Sequence, residues 1–155
     1  MSTLDPLYIF DLDGTLALID HRRHFVEGEY KDWRAFYRAC VRDEPNNAVV
    51  QVLMALWADG ADIMIWSGRS DEVAQETRDW MENHLRSGSV EIVPEIRMRP
   101  AGDFTPDEQL KEQWLEELTT YDRRRLVAVF DDRDKVVQMW RRNGVPCFQV
   151  APGAF

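Results

Sequence analysis

The chain has 155 residues, enough for one domain with a true core, and 45% of them are apolar. It contains no run of 18 apolar residues, no basic segment ahead of an apolar core at the N-terminus, and only two cysteines, Cys40 and Cys147, far apart in sequence. A membrane span, a secretion signal and a cysteine metal site are set aside on those grounds. The expectation is a cytoplasmic protein with two small buried thiols. A net charge of −9 argues against a general coat for nucleic acid, but the charge is uneven. Between His21 and Arg42 six Lys or Arg stand against three acids, whereas Asp103 to Asp122 holds seven acids and Lys111 alone.

The first element is an apolar strand, Leu7-Tyr8-Ile9-Phe10, which runs without polar transition into Asp11-Leu12-Asp13-Gly14-Thr15. Gly14 permits the tight exit that such a strand end needs. From Phe25 to Arg42, Trp33, Phe36, Tyr37, Cys40 and Val41 follow helical spacing as one buried stripe, with Arg34, Arg38 and Arg42 as an exposed cationic row beside it. This predicts a small helical insertion at about 19–44. Asp43-Glu44-Pro45 stops it and starts the next helix, with Pro45 in the first turn and Val49, Leu53, Leu56 and Trp57 facing inward. A second strand, Asp62 to Trp66, ends in Ser67-Gly68-Arg69, and Ser70 caps the helix that follows.

Further on, Val90 to Met98 reads as an edge or interrupted strand because of Pro94. Thr105-Pro106-Asp107-Glu108 has the pattern of a capping box, with Pro106 first in a helix that buries Leu110, Trp114 and Leu118. Leu126 to Phe130 is continuously apolar, as a central parallel strand should be, and it ends in Asp131-Asp132-Arg133. A helix through Val136, Val137 and Trp140, then a strand from Cys147 to Val150, complete the chain. Strands alternating with helices imply a parallel sheet covered on both faces. Ligands of such sheets gather beyond the carboxyl ends of the strands, where Asp11/Asp13, Ser67/Arg69 and Asp131/Asp132 all fall. His21 and His24 lack a third metal ligand and read as surface residues, and His84 reads as structural.

Clustered carboxylates of this kind suit chemistry on an anion if a metal neutralises them. Asp11 is the candidate nucleophile toward phosphorus and Asp13 the candidate general acid–base. Asp131 and Asp132, with Asp13 through its carbonyl, supply oxygen ligands of the type Mg²⁺ takes. Ser67, the backbone at Gly68 and Lys111 are donors for a phosphate oxygen.

With Asp11-Leu12-Asp13-Gly14-Thr15, Ser67, Lys111 and Asp131-Asp132 in this order, the chain resembles the haloacid dehalogenase (HAD) superfamily of phosphatases. Trp66-Ser67-Gly68-Arg69, Asp107…Lys111 and the run from Asp131 through Val136-Val137-Gln138-Met139-Trp140-Arg141-Arg142 to Gln149-Val150-Ala151 look like the phosphatase domain of bacteriophage polynucleotide kinase/3′-phosphatases. The resemblance implies a single HAD-like, Rossmannoid three-layer α/β domain over residues 1–155, with Mg²⁺ as cofactor, held by Asp11, Asp13, Asp131 and Asp132. Further implications are phosphate contacts from Ser67, Arg69 and Lys111, an Asp107 that orients Lys111, and roles for Arg22, Arg99 and Arg133. Arg34 and Arg38 are candidate contacts to the substrate strand. The activity implied is removal of 3′-phosphates from DNA or RNA ends, with 2′,3′-cyclic phosphates a further substrate, through an aspartyl-phosphate in end repair. A kinase or ligase partner or fused domain and a homo-oligomer are open possibilities. No Gly-x-x-x-x-Gly-Lys-Ser/Thr loop is present, so no 5′-kinase activity is expected of these residues. A phosphatase of nucleotides or other small phosphomonoesters, and a non-catalytic module that recognises phosphorylated ends, are the alternatives.

Overall fold

The structure, a computed structural model, describes residues 4–155. β1 (Leu7–Phe10) leads through the Asp11–Leu16 turn into the short β2 (Ala17–Leu18). The insertion that follows is helical, as expected, but broken and without one continuous face. It is a 3₁₀ turn (Asp20–Phe25), a six-residue α1 (Trp33–Arg38) and a second 3₁₀ turn (Ala39–Arg42). Two local features delay α1. Gly28 takes a positive φ in an exposed loop, and the Asp32 carboxylate caps the helix by accepting from the Ala35 amide at 2.9 Å. So short a helix cannot bury the whole predicted stripe: Phe36 and Cys40 are buried, whereas Trp33 and Val41 are exposed.

Glu44–Pro45 does not start a helix but forms β3, which pairs antiparallel with β2 and closes the base of the insertion. Pro45 is tolerated there because a two-stranded ladder has free edges. α2 (Asn47–Ala58) then leads to β4 (Asp62–Ser70), longer than expected because it carries Ser67, Gly68 and Arg69 within it. Ser70 caps the next turn, accepting from the Glu72 amide at 3.2 Å, and α3 (Ala74–His84) follows. The region around Pro94 is interrupted, as its sequence predicts: β5 (Arg86–Ser87) and β6 (Val90–Glu91) make a small hairpin, and β7 (Glu95–Arg99) resumes as an edge strand. α4 (Asp107–Glu116) begins after Pro106, and the expected capping box does not form. The Thr105 amide instead donates to Asp103 and its carbonyl accepts from Arg99. α5 (Thr120–Arg125), unforeseen, precedes β8 (Leu126–Asp131), α6 (Asp134–Arg142) and β9 (Cys147–Gln149).

The five long strands form one parallel sheet in the order β7-β4-β1-β8-β9. Strand alternation divides the core in two. Phe10, Ile63 and Ile65 face α2 and α3 with Leu53, Trp80 and Met81, while Ile9, Trp66 and Val129 face α4 and α6 with Trp114, Val137 and Trp140. The result is a three-layer α/β/α domain. The chain builds outward from β1 to β4 and β7, then returns to add β8 on β1's other side. The switch in direction therefore falls at β1 and β8, where the acidic motifs lie. No helix among the described residues is long and apolar enough to cross a membrane. Both cysteines are buried and unpaired.

Trp140 anchors the second layer: it is fully buried, its ring lies 5.6 Å from that of Trp66, and its indole nitrogen has no hydrogen-bond partner. Trp140→Ala is expected to destabilise the fold by about 3–5 kcal/mol in urea unfolding. Trp140→Phe should lose markedly less, because no hydrogen bond goes with the indole.

Candidate active site

Sheet register creates the first part of the site. The Asp11 amide donates to the Phe130 carbonyl at 2.9 Å, which sets Asp11 beside Asp131 at the ends of adjacent strands. Ligand oxygens of Asp11, Asp131 and Asp132 all lie within 4.8 Å of one another, and all three residues are buried. Lys111 reaches in from α4, its Nζ 2.7 Å from Asp11 Oδ1 and 2.8 Å from Asp131 Oδ2. The Thr15 hydroxyl donates to the other Asp11 oxygen at 3.1 Å. Close approach is possible because position 14 is glycine. Its φ is +85°, and a Cβ there would sit 2.2 Å from Asp132 Oδ2.

Three carboxylates against one lysine, when all are ionised, make a surplus of two negative charges in a buried space. The titration behaviour follows. Burial, then the charges of Asp131 and Asp132, push Asp11 well above the usual carboxylate range despite Lys111. Burial and the neighbouring Asp131 push Asp132 up to about 7. Burial works against a charge on Lys111, but Asp11 and Asp131 overcome it and hold the lysine protonated. Asp132 Oδ1 is buried with no partner. An all-oxygen donor set, a surplus of two negative charges and an unsatisfied ligand atom fit a hard divalent cation.

The second part is a neutral network around Asp13. Asp13 Oδ1 accepts from Arg22 at 2.7 Å and from Arg69, and both arginines are fully buried. Arg22 is held bidentate by Asp43, at 2.7 and 2.6 Å, and lies over the Phe36 ring at 4.3 Å. Arg69 also donates to Asp43 and to Thr77 of α3, at 3.1 and 3.0 Å. Although burial opposes it, the two guanidinium groups keep the Asp13 carboxyl well below the usual range. The Asp13 carboxylate thus stands with the arginines and outside the trio.

The third part carries a surplus positive charge. Asp107, at the start of α4, takes Arg99 on one oxygen and Arg133 on the other. It makes no bond to Lys111, which corrects the expected pairing. Lys111 is turned toward the trio, whereas Asp107 sits one helical turn back against Gly68. A Cβ at Gly68 would lie 2.4 Å from Asp107 Oδ1. Arg99 donates to the Gly68 carbonyl at 2.8 Å, and the Ser67 hydroxyl accepts from the Arg69 amide at 3.1 Å.

All the predicted residues from the strand ends, with Arg22, Arg99, Asp107, Lys111 and Arg133, therefore converge. Arg34 and Arg38 do not join the centre: both are exposed on α1, and Arg34 pairs with Glu72 at 3.2 Å. Sequence pattern assigns Asp43 only the place of an acid that stops a helix, whereas the structure sets it between Arg22 and Arg69. Its one signal was position, an acid at the end of a segment rich in arginine. His21, read as a surface residue, stands 2.7 Å from Asp43. Tyr37, read as core, brings its hydroxyl within 3.5 Å of the Gly68 carbonyl.

Comparison with known proteins identifies the family. Residues 5–155 match the model of the polynucleotide kinase PNKP phosphatase domain. The chain is 33% identical over 139 residues to a protein of Autographa californica nuclear polyhedrosis virus named as a bifunctional polynucleotide kinase/RNA ligase, covering 88% of this chain and 18% of that one. It superposes on a chain of a Pnkp1/Rnl/Hen1 complex with a TM-score of 0.81 and 29% identity, covering all of this chain and 49% of the other. A haloacid dehalogenase-like hydrolase of Streptococcus pneumoniae shares the fold, with a TM-score of 0.56 at 13% identity, over 94% of this chain and 84% of that one. The chain thus spans less than half the length of the kinase-related proteins it matches. Motif order, the convergence of three strand ends and the family match over nearly every residue lead to one conclusion: the chain belongs to the PNKP-type phosphatase domains of the haloacid dehalogenase superfamily.

Proposed function

We propose that the chain is a Mg²⁺-dependent polynucleotide 3′-phosphatase acting through an aspartyl-phosphate. The observation that carries this is the buried trio of Asp11, Asp131 and Asp132 bridged by Lys111. Relatives named for RNA ligation, and for an RNA repair complex that includes Pnkp1, support a nucleic-acid end as the substrate. They also support a kinase or ligase as fused domain or partner.

Asp11, Asp131, Asp132 and the Asp13 carbonyl would hold Mg²⁺, which supplies neutralisation of charge between carboxylates and phosphoryl oxygens. Asp11, oriented by Thr15 and Lys111, attacks phosphorus as the bond to the 3′-oxygen breaks. Asp13 gives its proton to that oxygen. Water then attacks the acyl phosphate and returns a proton to Asp13, releasing inorganic phosphate and free Asp11. Asp13 is ionised between Arg22 and Arg69 in the absence of substrate, so phosphate must raise its proton affinity. A dianion beside the network does this, because a protonated Asp13 leaves the arginine pair with the net positive charge that the dianion favours. Arg99 and Arg133 share the Asp107 carboxylate and add a further positive charge near Gly68.

A 3′-³²P-labelled oligonucleotide, mixed with enzyme and acid-quenched within milliseconds, should leave label on the wild-type protein. Asp11→Asn should show neither label nor turnover; steady-state phosphatase activity in that variant would remove Asp11 from the nucleophile's role.

Asp43 is expected to act on Asp13 through the arginines. Asp43→Asn should lower kcat by about 10²-fold, the order of a misplaced general acid–base, with KM little changed. A pH–rate profile should show the Asp13 limb displaced, which a loss of fold would not produce.

Metal binding has a readout that does not depend on catalysis. In the metal-free protein Asp132 keeps its proton up to about pH 7, whereas in the unfolded chain a carboxyl releases it near 3.8. The folded state therefore binds more protons across this window, and stability is expected to fall as pH rises from about 4 to 7. Added Mg²⁺ should raise Tm above pH 7, by an amount that grows with the logarithm of its concentration once the site is filled. Asp132→Asn should flatten the pH dependence and weaken the response to Mg²⁺ in thermal unfolding.

A further inference from the structure

A groove between α1 and the start of α3 takes no part in the chemistry above. It has a volume of about 400 Å³ and is lined by Arg34, Tyr37, Arg38, Glu72, Val73 and Glu76. Tyr37 forms a wall shared with the phosphate end of the site, because its hydroxyl lies 3.5 Å from the carbonyl of Gly68, between Ser67 and Arg69. Burial pushes that hydroxyl's pKa up, so it remains a donor at neutral pH. Behind Tyr37 the insertion is aromatic: Trp33 lies 6.1 Å from it and Phe36 5.7 Å.

The chemistry of this lining is not that of a track for phosphates. A groove built for the backbone of a nucleic acid carries an excess of cations. Here two guanidinium groups are matched by two carboxylates, with Arg34 held to Glu72 at 3.2 Å. An aromatic wall and guanidinium planes present flat π surfaces, on which a base stacks. Carboxylates are acceptors only, so they suit the donors of a nucleoside, namely sugar hydroxyls and exocyclic amines. The volume falls within the range of small-molecule sites.

We propose that this groove is the subsite for the nucleoside bearing the 3′-phosphate, with the base against Tyr37 and the Arg34 and Arg38 planes and the ribose 2′-hydroxyl donating to Glu72 or Glu76. The proposal rests on the 3′-phosphatase reading and refines it: the terminal residue is recognised as a ribonucleoside.

The test compares kcat/KM for a ribonucleoside 3′-monophosphate, its 2′-deoxy counterpart and glycerol 2-phosphate, a secondary phosphomonoester with no base or sugar ring. Wild type should favour the ribonucleotide over both. In Arg38→Ala the ratio of ribonucleotide to glycerol 2-phosphate should fall about tenfold, within the span of one lost base-stacking contact. In Glu76→Gln the ratio of ribonucleotide to deoxynucleotide should narrow toward one. Both positions are exposed on the surface, so neither change opens the core. A Glu76→Gln variant that turns over the nucleotides faster would mark the groove as a phosphate track and overturn the proposal. Unchanged ratios in both variants would overturn it as well. A wild type that hydrolyses glycerol 2-phosphate but neither nucleotide nor 3′-phosphorylated oligonucleotide would instead sink the functional reading on which the proposal rests.

Discussion

Asp11, Asp13, Asp43, Asp107, Asp131 and Asp132 are gathered at the carboxyl end of one parallel sheet, and Lys111, Arg22, Arg69, Arg99 and Arg133 are interleaved with them. Burial of this many charges is tolerated only when each has a partner. Pairing is uneven by position, and the unevenness has chemical meaning. The trio around Lys111 keeps a surplus of two negative charges. The network around Asp13 and Asp43 is balanced. The clamp on Asp107 keeps one positive charge. A divalent cation and a phosphate group are each complementary to one of these surpluses.

Backbone geometry holds the carboxylates close enough for the imbalance to matter. Parallel pairing of β1 with β8 places Asp11 next to Asp131, and the stacked rings of Phe10 and Phe130, 4.4 Å apart, tie the two strands together one residue before the carboxylates. Gly14 and Gly68 serve as gaps into which Asp132 and Asp107 press. Neither gap is a matter of flexibility alone. In each case the absent Cβ is the space that the carboxylate occupies.

The insertion has two faces. Arg22 and Asp43, near its two ends, reach inward, Arg22 onto Asp13 and Asp43 onto the arginines that hold it, so the segment is built into the Asp13 network although it is no part of the five-stranded sheet. The pairing of β2 with β3 draws those ends together and makes this possible. Arg34 and Arg38 point outward on α1 beside α3. A short helix with Tyr37 between these faces joins the Asp13 network to the surface groove.

Much was legible in the chain itself. Apolar runs that end in Asp11, Ser67 and Asp131 identify parallel strands and their functional ends, because a doubly covered strand is apolar throughout and only its end can be polar. Local pattern misled where the partner is remote. Phe25–Arg42 has helical spacing, but Gly28 and the Asp32 cap divide it, and spacing alone does not reveal which face finds a core. Pro45 has helix-start grammar, yet a strand partner at Ala17 takes it first. Asp43, His21 and Tyr37 carry no motif, since their places arise from contacts across the chain: Asp43 with Arg22 and Arg69, His21 with Asp43, and Tyr37 with Gly68. The chain determined by itself which acids stand at strand ends. Only the tertiary structure decided which cations compensate them, because an ion pair depends on distance in space and leaves no period in the sequence.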